Sequence, residues 1–139
     1  MKTDLRPLLL VGLGGAIGSM ARYGVGTFVQ SRAGAEFPVA TLLINVSGSF
    51  LLGFLMKLSL DTAGVSPGVQ LLLATGVCGG FTTFSTFAYE SVVLLERGEY
   101  GRAGMYAGGS VVLSIVATVL GIALARWLIA AGRFGVPQS

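Results

Sequence analysis

The stretch Gly76-Val-Cys-Gly-Gly-Phe-Thr-Thr-Phe-Ser-Thr-Phe-Ala-Tyr-Glu90 decides the fold of this chain. It overlaps residues 62–89, which carry no charge and exceed the ~20 residues that a helix needs to cross a bilayer. Glycine and the hydroxyl residues are poor helix formers, and here they are concentrated near the middle of the span. Non-helical backbone within a bilayer is tolerated only inside protein or beside a watery cavity. The stretch therefore predicts a transmembrane helix that breaks mid-membrane, at the functional core.

The composition of the 139-residue chain excludes an ordinary soluble domain. Hydrophobic residues make up 53% of the chain and charged residues 11%, against roughly 25% charged in soluble domains. The 22 glycines also suit transmembrane helices, in which glycine is commoner than in soluble ones. The chain has no histidine and one cysteine, so the usual general base and any intrachain disulfide are missing. Its bases are scattered singly, and we predict neither an enzyme nor a nucleic-acid-binding protein.

Uncharged stretches predict four membrane spans. Residues 37–56 and 103–125 carry no charge and are long enough to cross a bilayer. The first apolar stretch is interrupted by Arg22, and we interpret it as one helix with a buried arginine. A signal peptide is the alternative, which the three following spans disfavour. We predict a single all-α membrane domain over residues 1–139, with spans at approximately 7–29, 37–58, 67–95 and 101–128.

Lysine and arginine are nearly balanced between the two predicted faces of the membrane. Four spans place both termini on one face, which carries Lys2, Arg6, Lys57, Arg126 and Arg133, against three arginines on the other. Orientation follows the excess of Lys and Arg in short loops. This weak bias leads to the hypothesis that the chain inserts in both orientations.

The broken third span carries the first part of a candidate binding site. Phe84 and Phe87 are three residues apart and share a helical face, while Ser85 and Thr86 add hydroxyl groups beside them. Phenylalanines that only fill the interior are the alternative. A break also frees backbone carbonyls, which can bind a hard cation such as Na⁺. Glu90 is one of two ionisable groups deep within spans, which makes it a functional candidate, unless it lies close enough to an interface to be solvated.

The other spans carry the second part of the candidate site. Asn45 needs a partner in an apolar interior, either an anion or a neighbouring helix. Tyr106, Ser110 and Ser114 form a polar stripe at four-residue spacing on the fourth span, although helical serines often bond a carbonyl of their own helix. Arg22 is the second deep ionisable group, and it either has a function or extends its charge toward the interface.

Three Gly-x-x-x-Gly pairs, which allow helices to approach closely, predict a tightly packed bundle and a homodimer. They are Gly14 with Gly18, Gly76 with Gly80, and Gly104 with Gly108.

Three ordered motifs show that the chain resembles the CrcB (Fluc) family of fluoride channels along essentially its whole length. They are the segments Gly-Gly-Ala-Ile-Gly-Ser-Met-Ala-Arg-Tyr (14–23), Thr-Leu-Leu-Ile-Asn-Val-Ser-Gly-Ser-Phe (41–50) and residues 76–87 of the stretch quoted above. The resemblance implies a four-helix subunit with a broken third helix. Two subunits would assemble antiparallel, as a dual-topology homodimer with two pores, and export fluoride passively across the bacterial inner membrane to relieve its toxicity.

The resemblance also implies roles for individual residues. The fluoride pore would be lined by Asn45, Phe84, Phe87, Ser85, Thr86, Glu90, Tyr106, Ser110 and Ser114. Backbone carbonyls of Gly79 and Thr82 from both subunits would hold a structural Na⁺ at the dimer centre, and Arg22 would have a structural or electrostatic role.

Two other functions compete with this one. A small four-helix multidrug exporter has the same size and span count, but it needs a membrane-embedded glutamate in the first helix. The first span here carries Arg22, and no acid lies between Asp4 and Glu36. A non-transporting packing subunit would explain the glycines but not the stripes of hydroxyl groups.

Overall fold

Four long apolar helical stretches make up the chain in its computed structural model, which describes residues 4–34, 36–62 and 64–134. These stretches are α1 (Arg6–Ala33), α2 (Val39–Asp61), a third stretch (Pro67–Glu96) and α6 (Tyr100–Ala130). Each is long and apolar enough to cross a membrane. The prediction of an all-α membrane protein with four spans is confirmed.

The outer surface of the bundle is apolar. Leu9 on α1 is 70% exposed and Ile115 on α6 is 61% exposed, together with many other large hydrophobic side chains. A continuous apolar surface of this kind is unfavourable in water and suits the hydrocarbon core of a bilayer. Ion pairs lie at the helix ends, where Lys57 contacts Asp61 at 2.6 Å and Arg102 contacts Glu99 at 2.9 Å.

The third stretch consists of four helical pieces rather than one regular α-helix. They are α3 (Pro67–Gln70), a π-helical segment (Leu71–Cys78), α4 (Gly79–Phe81) and α5 (Phe84–Glu96). Between α4 and α5 the backbone of Thr82 and Thr83 is extended, with ψ angles of 158° and 114°. Thr83 then caps α5, because its side-chain oxygen accepts a hydrogen bond from the Thr86 N–H at 3.2 Å. The π-helical segment has no counterpart among the features predicted from the sequence.

Two glycine pairs hold α1 against the first half of the third stretch. A Cβ added to Gly76 would lie 2.8 Å from the Cα of Gly14, and one added to Gly80 would lie 2.6 Å from the carbonyl oxygen of Gly15. A Cβ at Gly18 would overlap the carbonyl oxygen of Val77. Two of the three Gly-x-x-x-Gly pairs therefore face each other, and their lack of side chains sets the distance between the helices.

The α2 and α6 helices form the most extensive helix pair in the chain. They approach closely at Gly53, where an added Cβ would lie 2.5 Å from the carbonyl oxygen of Thr118. The third glycine pair behaves differently, because among the described residues no atom outside its own helix backbone lies within 4 Å of a Cβ added to Gly104 or Gly108. This pair lies on the outer surface of α6 and takes no part in packing against the other described helices.

Replacing Gly18 with alanine is expected to destabilise the bundle by about 1–3 kcal/mol, the usual cost of overpacking. The added methyl group would meet the Val77 carbonyl oxygen, and backbone cannot move aside as a flexible side chain can. Gly12→Ala is the matched control on the same helix, because nothing lies within 4 Å of its Cβ position. Thermal unfolding of the detergent-solubilised variants measures the difference, and equal melting temperatures would contradict the proposed close contact.

Candidate functional site

A cavity of about 270 Å³ lies between α2, α5, α6 and the extended residues Thr82 and Thr83. We call it the phenylalanine cavity, and the side chains that matter here are Asn45, Ser49, Phe84, Phe87, Ser110 and Ser114. Five of these six are residues for which the family resemblance implies a place in a pore. Ser49 was not assigned, although it lies four residues after Asn45 and therefore on the same face of α2.

Asn45 joins α2 to the non-helical backbone. Its Nδ2 donates to the Thr83 carbonyl oxygen at 3.0 Å, and its Oδ1 accepts from the Thr83 N–H at 2.8 Å. In a continuous helix that N–H would donate to the carbonyl of Gly79, four residues earlier. The extended conformation removes this partner, and Asn45 replaces it. The structure thus shows the helix-bridging role of Asn45, while one Nδ2 hydrogen is left for a ligand.

The two phenylalanines lie side by side at the cavity. Their ring centroids are 5.5 Å apart, and the Phe87 ring is 5.3 Å from the ring of Tyr106. Phe84 is 78% exposed in the single chain, whereas Phe87 is half-buried. Phe87 is therefore held by its neighbours, and Phe84 projects from the surface of the subunit.

Glu90 is held between two hydroxyl groups from neighbouring helices. Thr41 Oγ1 on α2 donates to Glu90 Oε1 at 2.9 Å, and the Tyr106 hydroxyl on α6 donates to Oε2 at 2.6 Å. Tyr106 is only 1% exposed and packs against Leu94. Tyr106 shares a face of α6 with Ser110 and Ser114, but its hydroxyl bonds Glu90 and it is not among the residues that border the phenylalanine cavity.

Thr41 is a site residue that the sequence analysis missed. It lies four residues before Asn45, on the same face of α2. The four-residue spacing from Asn45 is a sequence signal that identifies Thr41 before it and Ser49 after it as candidates.

A second cavity, of about 620 Å³, lies on the other side of Thr83. Its polar lining includes Arg22 from α1, Thr41 from α2, and Thr86 and Glu90 from α5. Thr83 borders both cavities. Most of the predicted site residues therefore line one cavity or the other, and Thr83, which is bonded to Asn45, lies between the two cavities.

Arg22 and Ser85 occupy different positions relative to these cavities. Arg22 shares the second cavity with Glu90, although within the described ranges no ion pair joins the two. Ser85 is exposed, and its hydroxyl lies 3.3 Å from the Thr83 hydroxyl. It borders neither of the two cavities.

Two backbone carbonyls near the interruption lose their regular helical donors. The Thr83 N–H bonds Asn45 instead of the Gly79 carbonyl. The Thr86 N–H bonds the Thr83 side chain instead of the Thr82 carbonyl. Oxygen atoms left in this way are hard ligands of the kind that alkali cations take where membrane helices are broken.

Replacing Tyr106 with phenylalanine is expected to lower the free energy of unfolding by about 1.5–3 kcal/mol, the range for a hydrogen bond to a charged group. The substitution removes the 2.6 Å bond to the Glu90 carboxylate and keeps the ring that packs against Phe87. Tyr89→Phe is the control, since Tyr89 on the neighbouring helix α5 is 71% exposed. Equal stability of the two variants in denaturant titrations would show that the bond contributes nothing.

Comparison with known proteins gives consistent matches over nearly the whole chain. A family model described as "CrcB-like protein, Camphor Resistance (CrcB)" matches residues 9–122. A fluoride-specific ion channel FluC of Thermus thermophilus is 50% identical over 121 residues, which cover 87% of this chain and 94% of that protein. The FluC of Rhizobium meliloti is 47% identical over 122 residues, covering 88% of this chain and 98% of that protein.

A third relative extends the match slightly. The FluC of Prosthecochloris aestuarii is 48% identical over 126 residues, which cover 91% of this chain and 98% of that protein. All three relatives are named as ion channels rather than enzymes.

Proposed function

The chain belongs to the CrcB family, and from this premise we propose that it is a multi-pass membrane channel that conducts fluoride. The observation that carries the proposal is the buried hydroxyl of Ser110, a residue that borders the phenylalanine cavity. Ser110 is 5% exposed, and within the described residues its Oγ has no hydrogen-bond partner. A buried hydroxyl without a partner is costly, and a fluoride ion, which only accepts hydrogen bonds, would satisfy it.

The cavity offers fluoride a series of neutral donors. Fluoride is strongly hydrated. Hydrogen-bond donors along a narrow path must therefore take the place of the water molecules that the ion loses. The hydroxyls of Ser110 and Ser114 and the free Nδ2 hydrogen of Asn45 are donors of this kind. Phe84 and Phe87 add ring edges, which are electropositive. None of these groups carries a fixed positive charge, so the ion is bound weakly enough to leave.

The second cavity would continue the path. Thr86 and Glu90 border it, and the Glu90 carboxylate is occupied by the Thr41 and Tyr106 hydroxyls. Arg22 in the same cavity would attract an anion and offset the negative charge of Glu90. This arrangement supports an electrostatic role for Arg22.

Passive export follows from the membrane potential. An anion gains about 2.3 kcal/mol per 100 mV when it leaves a compartment that is negative inside. In the bacterial inner membrane this potential would drive fluoride out of the cell, and the channel would relieve fluoride toxicity without an energy source of its own.

We further propose that two copies assemble antiparallel, as a dual-topology homodimer with two pores. Phe84 is 78% exposed in the single chain, and a second copy would cover it and complete the open side of the cavity. The outward-facing pair Gly104 and Gly108 offers a surface for close helix contact. The near-balance of basic residues between the two faces supports insertion in both orientations. The extended residues Thr82 and Thr83 would then lie mid-membrane.

A structural Na⁺ fits the carbonyls near the interruption. The Gly79 and Thr82 carbonyls lack their regular helical donors, and Gly79 is exposed on the surface of the subunit. Carbonyls from both copies would hold the cation at the dimer centre, where it would neutralise their dipoles.

Replacing Na⁺ by a bulky organic cation is expected to shift the purified protein from dimer to monomer in size-exclusion chromatography. A dimer that is equally stable without Na⁺ would contradict this cation site.

Fluoride efflux from liposomes tests the proposed function. Liposomes that contain the purified protein and are loaded with potassium fluoride should release fluoride rapidly once a potassium ionophore balances the charge, as measured with a fluoride electrode. Chloride-loaded liposomes should retain their anion. Fluoride release no faster than from protein-free liposomes would refute the proposal, and proton-coupled uptake of a cationic drug would favour the multidrug exporter instead.

A further inference from the structure

The serine hydroxyls within residues 4–134 fall into two groups. Most serines in helices bond a carbonyl of their own helix, as Ser47 does with Leu43 at 2.7 Å and Ser91 does with Phe87 at 2.7 Å. In the part of the chain that the structure describes, only three serines have a side chain with no hydrogen bond. They are Ser49, Ser110 and Ser114, and all three border the phenylalanine cavity.

The position of Ser49 is fixed by the packing of α2 on α6. Its backbone carbonyl lies 3.3 Å from Thr118 Oγ1, whose single hydrogen is shared with the Ser114 carbonyl at 2.9 Å. One turn further along α2, Gly53 lets the two helices approach within contact of the Thr118 backbone. Ser49 is half-buried and borders the cavity, so the packing of its backbone on α6 places this residue at the cavity wall.

We propose that Ser49 is a further residue that donates a hydrogen bond to fluoride, an inference that rests on the proposed channel function. Ser49 lies four residues after Asn45, a rise of about 6 Å along α2. An ion that leaves the level of Asn45 and Phe87 would meet the free hydroxyls of Ser49 on α2 and Ser114 on α6. Leu52 follows on the same wall and has no hydrogen-bonding group, so Ser49 is the last donor that α2 supplies to this cavity.

The unpartnered hydroxyls explain why serine suits these positions. A hydroxyl that donates its only hydrogen to a carbonyl of its own helix cannot donate to an anion as well. A hydroxyl that borders a cavity and remains free can donate at once, and the neutral group holds the ion less tightly than a lysine or arginine would. Ser49 and Ser114 approach the cavity from the closely packed helices α2 and α6, which gives the ion a donor on each side.

The substitution Ser49→Ala tests this proposal in the liposome assay. The loss of one hydrogen bond to a charged ion predicts a decrease in fluoride flux of about tenfold. Ser47→Ala is the matched control, since Ser47 lies on the same helix, is bonded to Leu43 and borders neither cavity. Its flux should equal that of the unmodified protein. Ser49→Thr keeps a hydroxyl at this position and should recover most of the flux that Ser49→Ala loses.

The outcomes separate this inference from the function on which it rests. If the unmodified protein conducts no fluoride, the proposed function fails. If it conducts, and Ser49→Ala conducts as fast as Ser47→Ala, only the role of Ser49 is overturned. If Ser49→Ala does not fold, Ser49→Cys keeps the shape with a weak donor and is expected to conduct severalfold more slowly than the unmodified protein. Full flux through a folded Ser49→Cys variant would equally overturn the proposal.

Discussion

Replacing Phe84 with isoleucine is expected to reduce fluoride flux by at least about tenfold, equivalent to ~1.4 kcal/mol in the barrier, while the protein stays folded. Phe84 is 78% exposed in the single chain, so its ring contributes little to the stability of the subunit. It borders the phenylalanine cavity beside Phe87, with the ring centroids 5.5 Å apart. Isoleucine is apolar but has no electropositive ring edge. The liposome efflux rate measures the change.

The control for this prediction is Phe28→Ile on α1. Phe28 is 59% exposed, stacks against Arg32 and borders none of the cavities described above. Its substitution should leave the fluoride flux unchanged, and size-exclusion profiles should show the same assembly for both variants. Unchanged flux in Phe84→Ile would contradict a role of the Phe84 ring in fluoride conduction. The polar donors alone would then account for the path of the ion.

Replacing Asn45 with leucine is expected to lower the free energy of unfolding by about 2–4 kcal/mol and to abolish fluoride flux. Asn45 makes two hydrogen bonds to the backbone of Thr83, and Thr83 is 7% exposed. Without the Asn45 side chain, the Thr83 N–H has no acceptor, because its extended conformation has already removed the helical one. An unsatisfied buried N–H costs about 1–3 kcal/mol, and the second lost bond adds to it. Denaturant titration of the detergent-solubilised protein measures the change in the free energy of unfolding.

The substitution Asn45→Asp separates the two roles of this residue. The carboxylate still accepts from the Thr83 N–H but cannot donate to the Thr83 carbonyl or to an anion. We expect a stability between those of the unmodified protein and Asn45→Leu, and no fluoride flux, because the added negative charge repels the ion. If Asn45→Leu were as stable as the unmodified protein, the observed bridge to Thr83 would be unimportant for the fold.

Much of the helical architecture follows from local patterns in the sequence. Uncharged stretches of sufficient length identify the four spans, because hydrocarbon accepts only apolar helices of about 20 residues. Helix ends were harder to place, as α1 continues to Ala33 rather than ending near residue 29. It ends where Gly34 takes a φ of 77°, a conformation that other residues rarely adopt. The π-helical segment Leu71–Cys78 packs against α1, and no pattern identified in the sequence predicts it.

The candidate site depends more strongly on contacts between helices. Spacing alone placed Tyr106 in one stripe with Ser110 and Ser114, whereas in the structure Tyr106 bonds Glu90. The reason is that a tyrosine hydroxyl lies at the end of a long side chain, so that in Tyr106 it reaches a carboxylate on the neighbouring helix α5. Thr41 was not predicted as a site residue for the same reason. Its partner Glu90 lies 49 residues further along the chain, so local spacing does not reveal the bond between them.

The sequence by itself determined that this is a membrane protein, how many spans it has and to which family it belongs. It also showed that glycine and hydroxyl residues are concentrated between positions 76 and 86. These properties depend on composition and local spacing, which the order of residues states directly. Only the tertiary structure decided which hydroxyls remain free, that Asn45 holds the extended backbone at Thr83, and that Arg22 and Glu90 share a cavity. Each of these depends on which atoms from separate helices come close together in the folded bundle.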